Sequence, residues 1–490
     1  MSVTESQSES HTYDFGVPPV RGLFLGLSLK RLLVVGGGLL LMTIALVARV
    51  PVPIALLPFL SGVAVAFVKV QGRRVDEWAP VVLSYLRAGA EGRRSWLRGM
   101  PSALLARPGR PPDPVRSTAE RHPLLAEATF TETKVAGMAI GVCVTQAKSR
   151  LLSAVFSVTG NACFALLPHS EQAMAISQWG EVLAESCVNS KHVHALQWVQ
   201  RSVPDLAAEA ETWMRQHLSP LRTGTKAFED YADLIDRLDE VASTHEVYLV
   251  AQIRSKAADL DESLEEAVLE WSAISSRLAG IGLSPRPLAR AELTGLLGAY
   301  ADGVGFAGAQ KTPDAMPMAF DEHWDHIRVD GLCHRVFAVS AWPRIRVWPS
   351  WLEPLLIGGS AGNLRTVSVH MHPVSHDTAR RRARAAVAAT SLDEESRRRA
   401  GFVIGAQHRR EASDAEQREA ELVAGYGEHS LGALCMVSAP SLELLEAASR
   451  ALVQGSVQSS LDLRVLYGAQ RAGYVGALPL AQLRFNRTLL

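Results

Sequence analysis

Two long uncharged runs near the N-terminus form the strongest hydrophobic pattern in the chain. Leu32 to Ala48 contains no charged residue and only one hydroxyl side chain, and Val50 to Val68 is again uncharged. As a helix, the first run would be roughly 25 Å long, close to the hydrocarbon thickness of a bilayer. Pro51 and Pro53 stand where a tight turn would restart a helix. The pattern therefore predicts a transmembrane hairpin over residues 21–74.

The basic residues that flank these runs predict an orientation. Positive charge is concentrated outside the hairpin, and only one basic residue, Arg49, lies in the connection. This bias predicts a multi-pass protein of the cell inner (plasma) membrane with both termini in the cytoplasm. The alternative is a pair of long core helices in a soluble protein. The predicted anchoring residues are Leu32, Leu40, Leu46, Ile54, Phe59 and Phe67.

The segment after the hairpin, residues 75–118, combines aromatic residues with an excess of basic ones. Aromatic and aliphatic residues recur at helical spacing after Asp76, which indicates an amphipathic helix. Such a helix suits a membrane surface with anionic headgroups, although an ordinary packed helix has the same pattern. Five prolines between Pro101 and Pro114 then indicate an extended linker. The predicted membrane-surface residues are Trp78, Tyr85, Arg93, Arg94 and Trp96.

The rest of the chain alternates between short apolar runs and helical segments. His245 to Ile253 reads as a strand, and Asp259 to Leu278 carries apolar residues at spacings of three and four, as in a helix. We expect an α+β fold with two cytosolic lobes of antiparallel sheet covered by helices, in ferredoxin-like units. The second lobe repeats this succession without a strict sequence repeat. The predicted divisions are a disordered tail (1–20), a first lobe (119–302), a linker (303–320) and a second lobe (321–490).

Composition excludes some classes of protein. The formal net charge is zero, with 50 basic and 50 acidic residues, which argues against a nucleic-acid binder that depends on a globally positive field. The five cysteines are scattered and form no Cys-x-x-Cys pair, so neither a disulfide framework nor a zinc knuckle is indicated. Arginine clusters in the helical stretch Leu392 to Ala424 are interleaved with glutamate, which favours a solvated helix.

Candidate catalytic motifs are weak. Gly358 to Asn363 is rich in glycine but lacks the lysine of a P-loop, so an intrinsic motor ATPase is improbable. Two groups of histidines have poor spacing for metal ligands, and polar residues on strands explain them as well. We therefore predict no catalytic, cofactor or metal residue. The two groups are His370, His372 and His376, and Glu322, His323, Asp325, His326, Cys333 and His334.

Several short motifs resemble parts of bacterial secretion machinery. Thr12 to Gly22, the hairpin, and Gly72 to Trp78 resemble the PrgI-like membrane subunits of conjugation and type IV secretion systems. His245 to Leu249, Leu283 to Leu288 and Gly476 to Leu480 look like the non-motor N-terminal region of the conjugation ATPases. The chain as a whole is similar to an actinobacterial family of membrane proteins that join these two parts and stop before the ATPase domain.

This resemblance implies a non-enzymatic scaffold that docks a separately encoded P-loop ATPase at the inner membrane. It also implies other secretion-system membrane subunits and lipids as partners, a homo- or hetero-oligomer, no cofactor and no direct small-molecule substrate. The predicted partner-binding residues are Trp342, Trp348 and Trp351, although core positions explain them equally well. Two alternatives stay open: an EccE-like subunit of type VII secretion, and a membrane-surface enzyme with a histidine-based site.

Overall fold

A computed structural model of the chain shows mixed helices and strands built around one large sheet. The structure describes residues 29–71, 73–97, 122–125, 128–146, 149–160, 164–188, 191–204, 210, 214, 217, 225–236, 243–305, 316–357, 364–399 and 405–483. The predicted tail (1–20), the proline-rich linker and most of the predicted 303–320 linker lie outside these residues.

The helices and strands follow one another along the whole described chain. The helices are α1 (Leu29–Val47), α2 (Val52–Phe67), α3 (Val75–Ala90), α4 (His169–Val188), α5 (Lys226–Asp236), α6 (Leu260–Gly280), α7 (Arg290–Asp302), α8 (Glu353–Leu356), α9 (His376–Arg399), α10 (Ala406–Val423), α11 (Leu442–Gln458) and α12 (Gln470–Ala477). The strands are β1 (Lys69–Val70), β2 (Arg73–Arg74), β3 (Ser95–Leu97), β4 (Ala128–Val135), β5 (Met138–Gln146), β6 (Arg150–Gly160), β7 (Val193–Val203), β8 (Thr244–Ser255), β9 (Leu283–Pro287), β10 (Ala319–Glu322), β11 (Ile327–Val329), β12 (Leu332–Ala341), β13 (Leu364–Val374), β14 (Glu428–Ala439) and β15 (Asp462–Val465).

The predicted transmembrane hairpin is wrong. Among the described residues, no helix is both long enough and apolar enough to cross a membrane. The helix α2 has 16 residues with a proline inside it, and α1 begins with Lys30 and Arg31, so that about 16 residues remain after the charges. Sixteen residues are fewer than the roughly 20 consecutive apolar residues that a membrane-spanning helix needs. The multi-pass membrane location that depended on this hairpin is therefore corrected as well.

The two helices instead form an antiparallel pair held by close backbone contact. A Cβ atom added to Gly38 would lie 2.7 Å from the carbonyl oxygen of Pro58, so only glycine permits this approach. Of the residues predicted to anchor the chain, Phe59 is half-buried, and the side chain of Leu32 lies outside the described part. The others are exposed on the outside of the pair, namely Leu40, Leu46, Ile54 and Phe67.

The prediction of two separate sheets is also wrong. Thirteen strands form one antiparallel sheet in the order β3-β10-β11-β12-β14-β13-β7-β8-β6-β5-β4, while β15 pairs with β12 and β9 pairs with β6. The strands β7 and β13 join the two halves from Leu196 opposite Met371 to Ser202 opposite Arg365. Their hydrogen bonds make the halves continuous, so that neither is an independent sheet.

The sheet nevertheless contains an internal repeat that the sequence does not display. Residues 128–302 supply the strand order β4-β5-β6-β8-β7, and residues 319–477 supply β10-β11-β12-β14-β13 in the same arrangement. In each half the fifth strand in chain order, β8 or β14, is followed by a helix, a short strand and another helix. The backbone N–H of Leu288 donates to the carbonyl of Val155 (3.0 Å), and Leu466 donates to Val336 in the same way (3.0 Å).

A local two-fold axis passes through the middle of this sheet. Val199 lies directly opposite Ser368, at the centre of the pairing between β7 and β13. Each also faces an equivalent residue of its own half, Tyr248 on β8 and Leu434 on β14. Residues that lie the same number of positions along the chain from Val199 and from Ser368 are therefore counterparts. Arg201 and His370, each two positions further on, are one such pair.

Apolar side chains form a core on each face of the sheet. One face is covered by α7 and α12, which share a continuous core that includes Leu293, Tyr300 and Tyr474. On the opposite face, α6 covers the first half with Trp271 at its centre, and α11 covers the second half. The indole N–H of Trp271 donates to the carbonyl of Ala251 (3.0 Å), so this large side chain is buried with its polar group satisfied.

Candidate functional site

The segment between β12 and β13 contains the three tryptophans that the sequence singled out. Trp342 and Trp351 are half-buried and pack against the core beneath α11. Trp348 is 54% exposed, and it lies in the same segment as Ile345 (61% exposed) and Ile357 (55% exposed). The structure thus separates the three residues: two support the segment, and one remains on the surface with two aliphatic neighbours in the chain. We call residues 342–357 the tryptophan loop.

Several contacts hold the tryptophan loop in place. Val347 is buried, and the N–H of Trp351 donates to the carbonyl of Trp348 (3.0 Å). The short helix α8 rests on α11 where a Cβ atom at Gly455 would lie 2.8 Å from the carbonyl oxygen of Pro354. Loop backbone groups also anchor strands, since the carbonyl of Leu356 accepts from Arg365 (3.0 Å). A surface with little freedom to lose can bind a partner at a smaller entropic cost.

The aromatic residues predicted to lie at a membrane surface contact other parts of the protein. Trp78 on α3 stacks on Trp324 with 5.8 Å between ring centroids, and its ring is 6.1 Å from that of Tyr467. Tyr85 meets Trp324 edge-on at 5.0 Å, and the guanidinium of Arg94 lies 4.6 Å from the Tyr85 ring centroid. These contacts attach α3, and with it the α1–α2 pair, to the second half of the sheet.

The other two residues of that predicted set lie close by. Trp96 belongs to the edge strand β3, where its ring is 4.7 Å from that of His122 and 6.3 Å from that of Phe320. The exposed side chain of Arg93 pairs with Glu91. Trp96 therefore fastens β3 to the shared core, and Arg93 remains at the surface.

The first histidine group serves in hydrogen bonds that hold strands and segments together. His370 is fully buried and bonds the carbonyl of Gly476 (2.8 Å), and His372 bonds the carbonyl of His194 (3.1 Å). Burial lowers the pKa of His370 to about 3 and that of His372 to about 4, so both are neutral near pH 7. His376 is the first residue of α9. No group of three or more potential metal ligands was found among the described residues.

The second histidine group is divided between separate contacts. His326 bonds Asp325 (2.9 Å), and the ring of His323 stacks on that of His326 at 4.4 Å. His334 faces the other way, into the shared core, where its Nδ1 bonds the hydroxyl of Ser438 (2.7 Å). The polar residues of this group therefore stabilise a turn and a strand.

A buried charged cluster that sequence reasoning missed lies near the local two-fold axis. Arg201 is only 2% exposed, and its Nη1 is 3.2 Å from a carboxylate oxygen of Glu246. Its Nη2 donates to the carbonyl of Ala299 (2.7 Å), and the guanidinium lies 4.5 Å from the ring centroid of Tyr300. The Tyr248 hydroxyl donates to the same carboxylate (3.1 Å). An arginine between valines on the inward face of a strand was the available signal.

Across the axis, neutral groups do the equivalent work: His370 from the second half, which is the counterpart of Arg201, and Gln197 from β7. His370 and Gln197 hold the segment after α12: the Gln197 side chain donates to the carbonyl of Leu478 (2.8 Å) and accepts from the N–H of Ala481 (2.6 Å). Gln252 also donates to the carbonyl of Ala481 (3.2 Å). On both sides of the axis, buried polar groups therefore fasten the end of a helix to the sheet.

No protein-family model matches the chain, and the search of curated proteins also gave no match. The resemblance to PrgI-like subunits and to the conjugation ATPases thus stays a prediction.

The described cysteines have buried thiols rather than nucleophilic ones. Burial raises the pKa of Cys143 and of Cys435 to about 12. Cys187 lies 3.5 Å from Nε2 of His429, but burial raises the pKa of Cys187 to about 11 and lowers that of His429 to about 4. A neutral thiol beside a neutral imidazole is not an activated nucleophile at pH 7.

Proposed function

We propose that the chain is a non-enzymatic docking component that binds a separately encoded P-loop ATPase of a type IV, conjugation-like secretion system. The observation that carries this proposal is the tryptophan loop, which exposes Trp348, Ile345 and Ile357 on a firmly held backbone. Tryptophan is enriched among the residues that dominate binding energy at protein interfaces. The identity of the partner comes from the sequence resemblance.

The contacts of the buried polar groups agree with a scaffold role. Arg201 and Gln197 bind backbone carbonyls of the segments that end α7 and follow α12, and the buried His370 is neutral near pH 7 and makes a similar contact. These interactions stabilise one arrangement of helices on the sheet. A docking protein needs such a fixed frame, because a surface patch binds well only when it is preorganised.

Co-purification from the native host tests this proposal. The full chain is tagged and recovered as wild type, as Trp348→Ala, and as Tyr426→Ala, a control that removes another exposed aromatic ring (65% exposed). Eluted proteins are identified by mass spectrometry. We expect a P-loop ATPase with the wild type and with Tyr426→Ala, and at least about tenfold less of it with Trp348→Ala.

Two outcomes would contradict the proposal. One is recovery of the wild-type chain without any P-loop ATPase. The other is equal recovery of the ATPase with Trp348→Ala, which would place its binding surface elsewhere. Thermal unfolding of all three proteins must show the same midpoint, because a loss of binding has meaning only if the tryptophan loop is still folded.

A further inference from the structure

The outer strands of the two halves, β10 and β4, differ in whether a further described strand pairs with them. At one edge, β3 covers β10, with Trp96 opposite Phe320 and the N–H of Glu322 donating to the carbonyl of Arg94 (2.8 Å). At the other edge, β4 pairs with β5 on its inner side, and no described strand pairs with its outer side. An uncovered edge strand presents a row of backbone groups that can pair with another chain.

The internal repeat shows that these edges are equivalent positions. Phe130 on β4 lies opposite Cys143, which lies opposite Ser153 on β6. Glu322 on β10 stands in the same relation to β11 and β12, and its N–H donates to the carbonyl of Arg94, the residue directly before β3. Phe130 on β4 is therefore the counterpart of a residue, Glu322, whose backbone binds a neighbouring strand segment.

The hairpin turn fixes which groups of β4 face outward. Ala136 and Gly137 form a two-residue turn and both have positive φ angles (50° and 82°), as in a type I′ hairpin. Val135 and Met138 are then a hydrogen-bonded pair, and alternate residues point away from β5. The N–H groups of Lys134, Glu132 and Phe130 consequently face the outer edge.

The charged side chains along the outer edge of β4 would complement those of a second copy of β4. Glu132 and Lys134 are both exposed, carry opposite charges and lie two residues apart on the same face of the strand. If two copies of β4 pair antiparallel about an axis through Thr133, each Glu132 lies opposite Lys134 of the second copy. A shift of the axis to Glu132 would instead put two carboxylates opposite each other. Opposite charges at facing positions stabilise strand pairing, and like charges oppose it.

We propose that β4 is a self-association edge, at which a second copy of the chain adds its own β4 in the register that pairs Glu132 with Lys134. The sheet would then continue across a two-fold axis, as it already does inside the chain where β7 meets β13. Glu132 also accepts a hydrogen bond from the N–H of Arg290 (3.0 Å), which orients its carboxylate at the edge. This inference does not depend on the proposed ATPase partner.

Charge reversal tests the register with the full chain. Sedimentation velocity over a range of concentrations measures the dimer dissociation constant of the wild type, Glu132→Lys, Lys134→Glu and an equimolar mixture of the two variants. We expect each variant alone to dimerise at least about tenfold more weakly, because like charges then face each other twice. The mixture should recover the affinity, since every facing pair is again of opposite charge.

Two further variants separate edge pairing from other causes. Lys134→Pro removes an outward N–H without removing a bond to β5, so it should also abolish the dimer. Lys191→Glu makes the same charge change at an exposed turn and should leave the dissociation constant unchanged. A monomeric wild type, or dissociation constants of the charge variants within twofold of the wild type, would overturn the proposal. So would a mixture that stays as weak as its components.

Discussion

Arg201 and Glu246 form an ion pair of 3.2 Å on neighbouring central strands, with the arginine fully enclosed by the core. The guanidinium reaches from this pair to the carbonyl of Ala299 near the end of α7. A buried pair of charges is a weak source of net stability, but loss of one partner leaves the other charge buried and uncompensated. The pair therefore makes the position of α7 sensitive to either residue.

Replacement of both partners should be less harmful than the two single replacements taken together. We expect Arg201→Met to lower the free energy of unfolding by about 3 to 5 kcal/mol, and Glu246→Gln to lower it by a similar order. The double variant should lose clearly less than the sum of the two, with a coupling free energy of about 2 kcal/mol or more. Urea unfolding of the four proteins measures this. Additive losses would show that the two side chains do not act as a pair.

Acid should destabilise the protein through its buried histidines. Burial lowers the pKa of His334 and of His370 to about 3 in the folded protein, whereas the ordinary value is 6.5. Between these values the unfolded chain binds more protons than the folded one, so the stability contributed by each histidine is complete above pH 6.5 and falls as the pH falls toward 3. Each should remove on the order of 1 to 2 kcal/mol between pH 7 and pH 5.

A histidine variant separates this effect from the titration of carboxylates. His370→Gln cannot gain a proton, so its stability should fall less steeply than that of the wild type between pH 7 and pH 5. The measurement is the free energy of unfolding in urea at both pH values. Equal slopes for the two proteins would mean that His370 is not buried in its neutral form. His217, for which the structure shows no such burial, provides the control variant His217→Gln.

Individual helices and strands could be predicted from sequence, because the patterns that specify them lie within a short stretch of the chain. The strand predicted at His245 to Ile253 lies within β8, and the helix predicted at Asp259 to Leu278 corresponds to α6, with Asp259 as its N-cap. Apolar periodicity and a capping residue suffice for such elements. The continuity of the sheet was not accessible, because β7 pairs with a strand about 170 residues away. Burial of both faces of β7 is typical of a central strand, and its apolar residues were the only hint.

The sequence could not show which tryptophans of the candidate site are packed and which are exposed. Trp342, Trp348 and Trp351 lie in a loop, where neither a period of two nor one of 3.6 residues assigns a side chain to the core. Their division into two packed residues and one exposed residue depends on where α8 meets α11. The predicted membrane hairpin failed for a quantitative reason: its helices are apolar, but each has only about 16 uncharged residues, fewer than a membrane span needs.

The stack of Trp78 on Trp324 should couple the N-terminal helices to the sheet. Removal of either ring by Trp78→Ala or Trp324→Ala should destabilise the attachment of α3, since the rings pack at 5.8 Å. A double-mutant cycle should give a coupling free energy of about 0.5 to 1.5 kcal/mol. Limited proteolysis should also cleave α3 faster in each variant. Unchanged proteolysis of Trp78→Ala would show that other contacts, such as Tyr85 with Trp324, hold the helix without this stack.

A single methyl group at Gly455 should disturb the tryptophan loop. The added Cβ would lie 2.8 Å from the carbonyl oxygen of Pro354, and a backbone atom of this kind cannot move aside without moving α8. We therefore expect Gly455→Ala to lower the free energy of unfolding by about 1 to 3 kcal/mol despite the better helix propensity of alanine. The matched control is Gly180→Ala in α4, where nothing lies within 4 Å of the new methyl group and a gain of about 0.5 to 1 kcal/mol is expected.

Denaturant unfolding distinguishes the loss of stability expected for Gly455→Ala from the gain expected for Gly180→Ala, and tryptophan fluorescence reports whether the surroundings of Trp351 and Trp348 change in the folded state. A gain of stability for Gly455→Ala equal to that of the control would mean that α8 is not pressed against α11, and the tryptophan loop would then lack the rigid support on which its role as a docking surface rests.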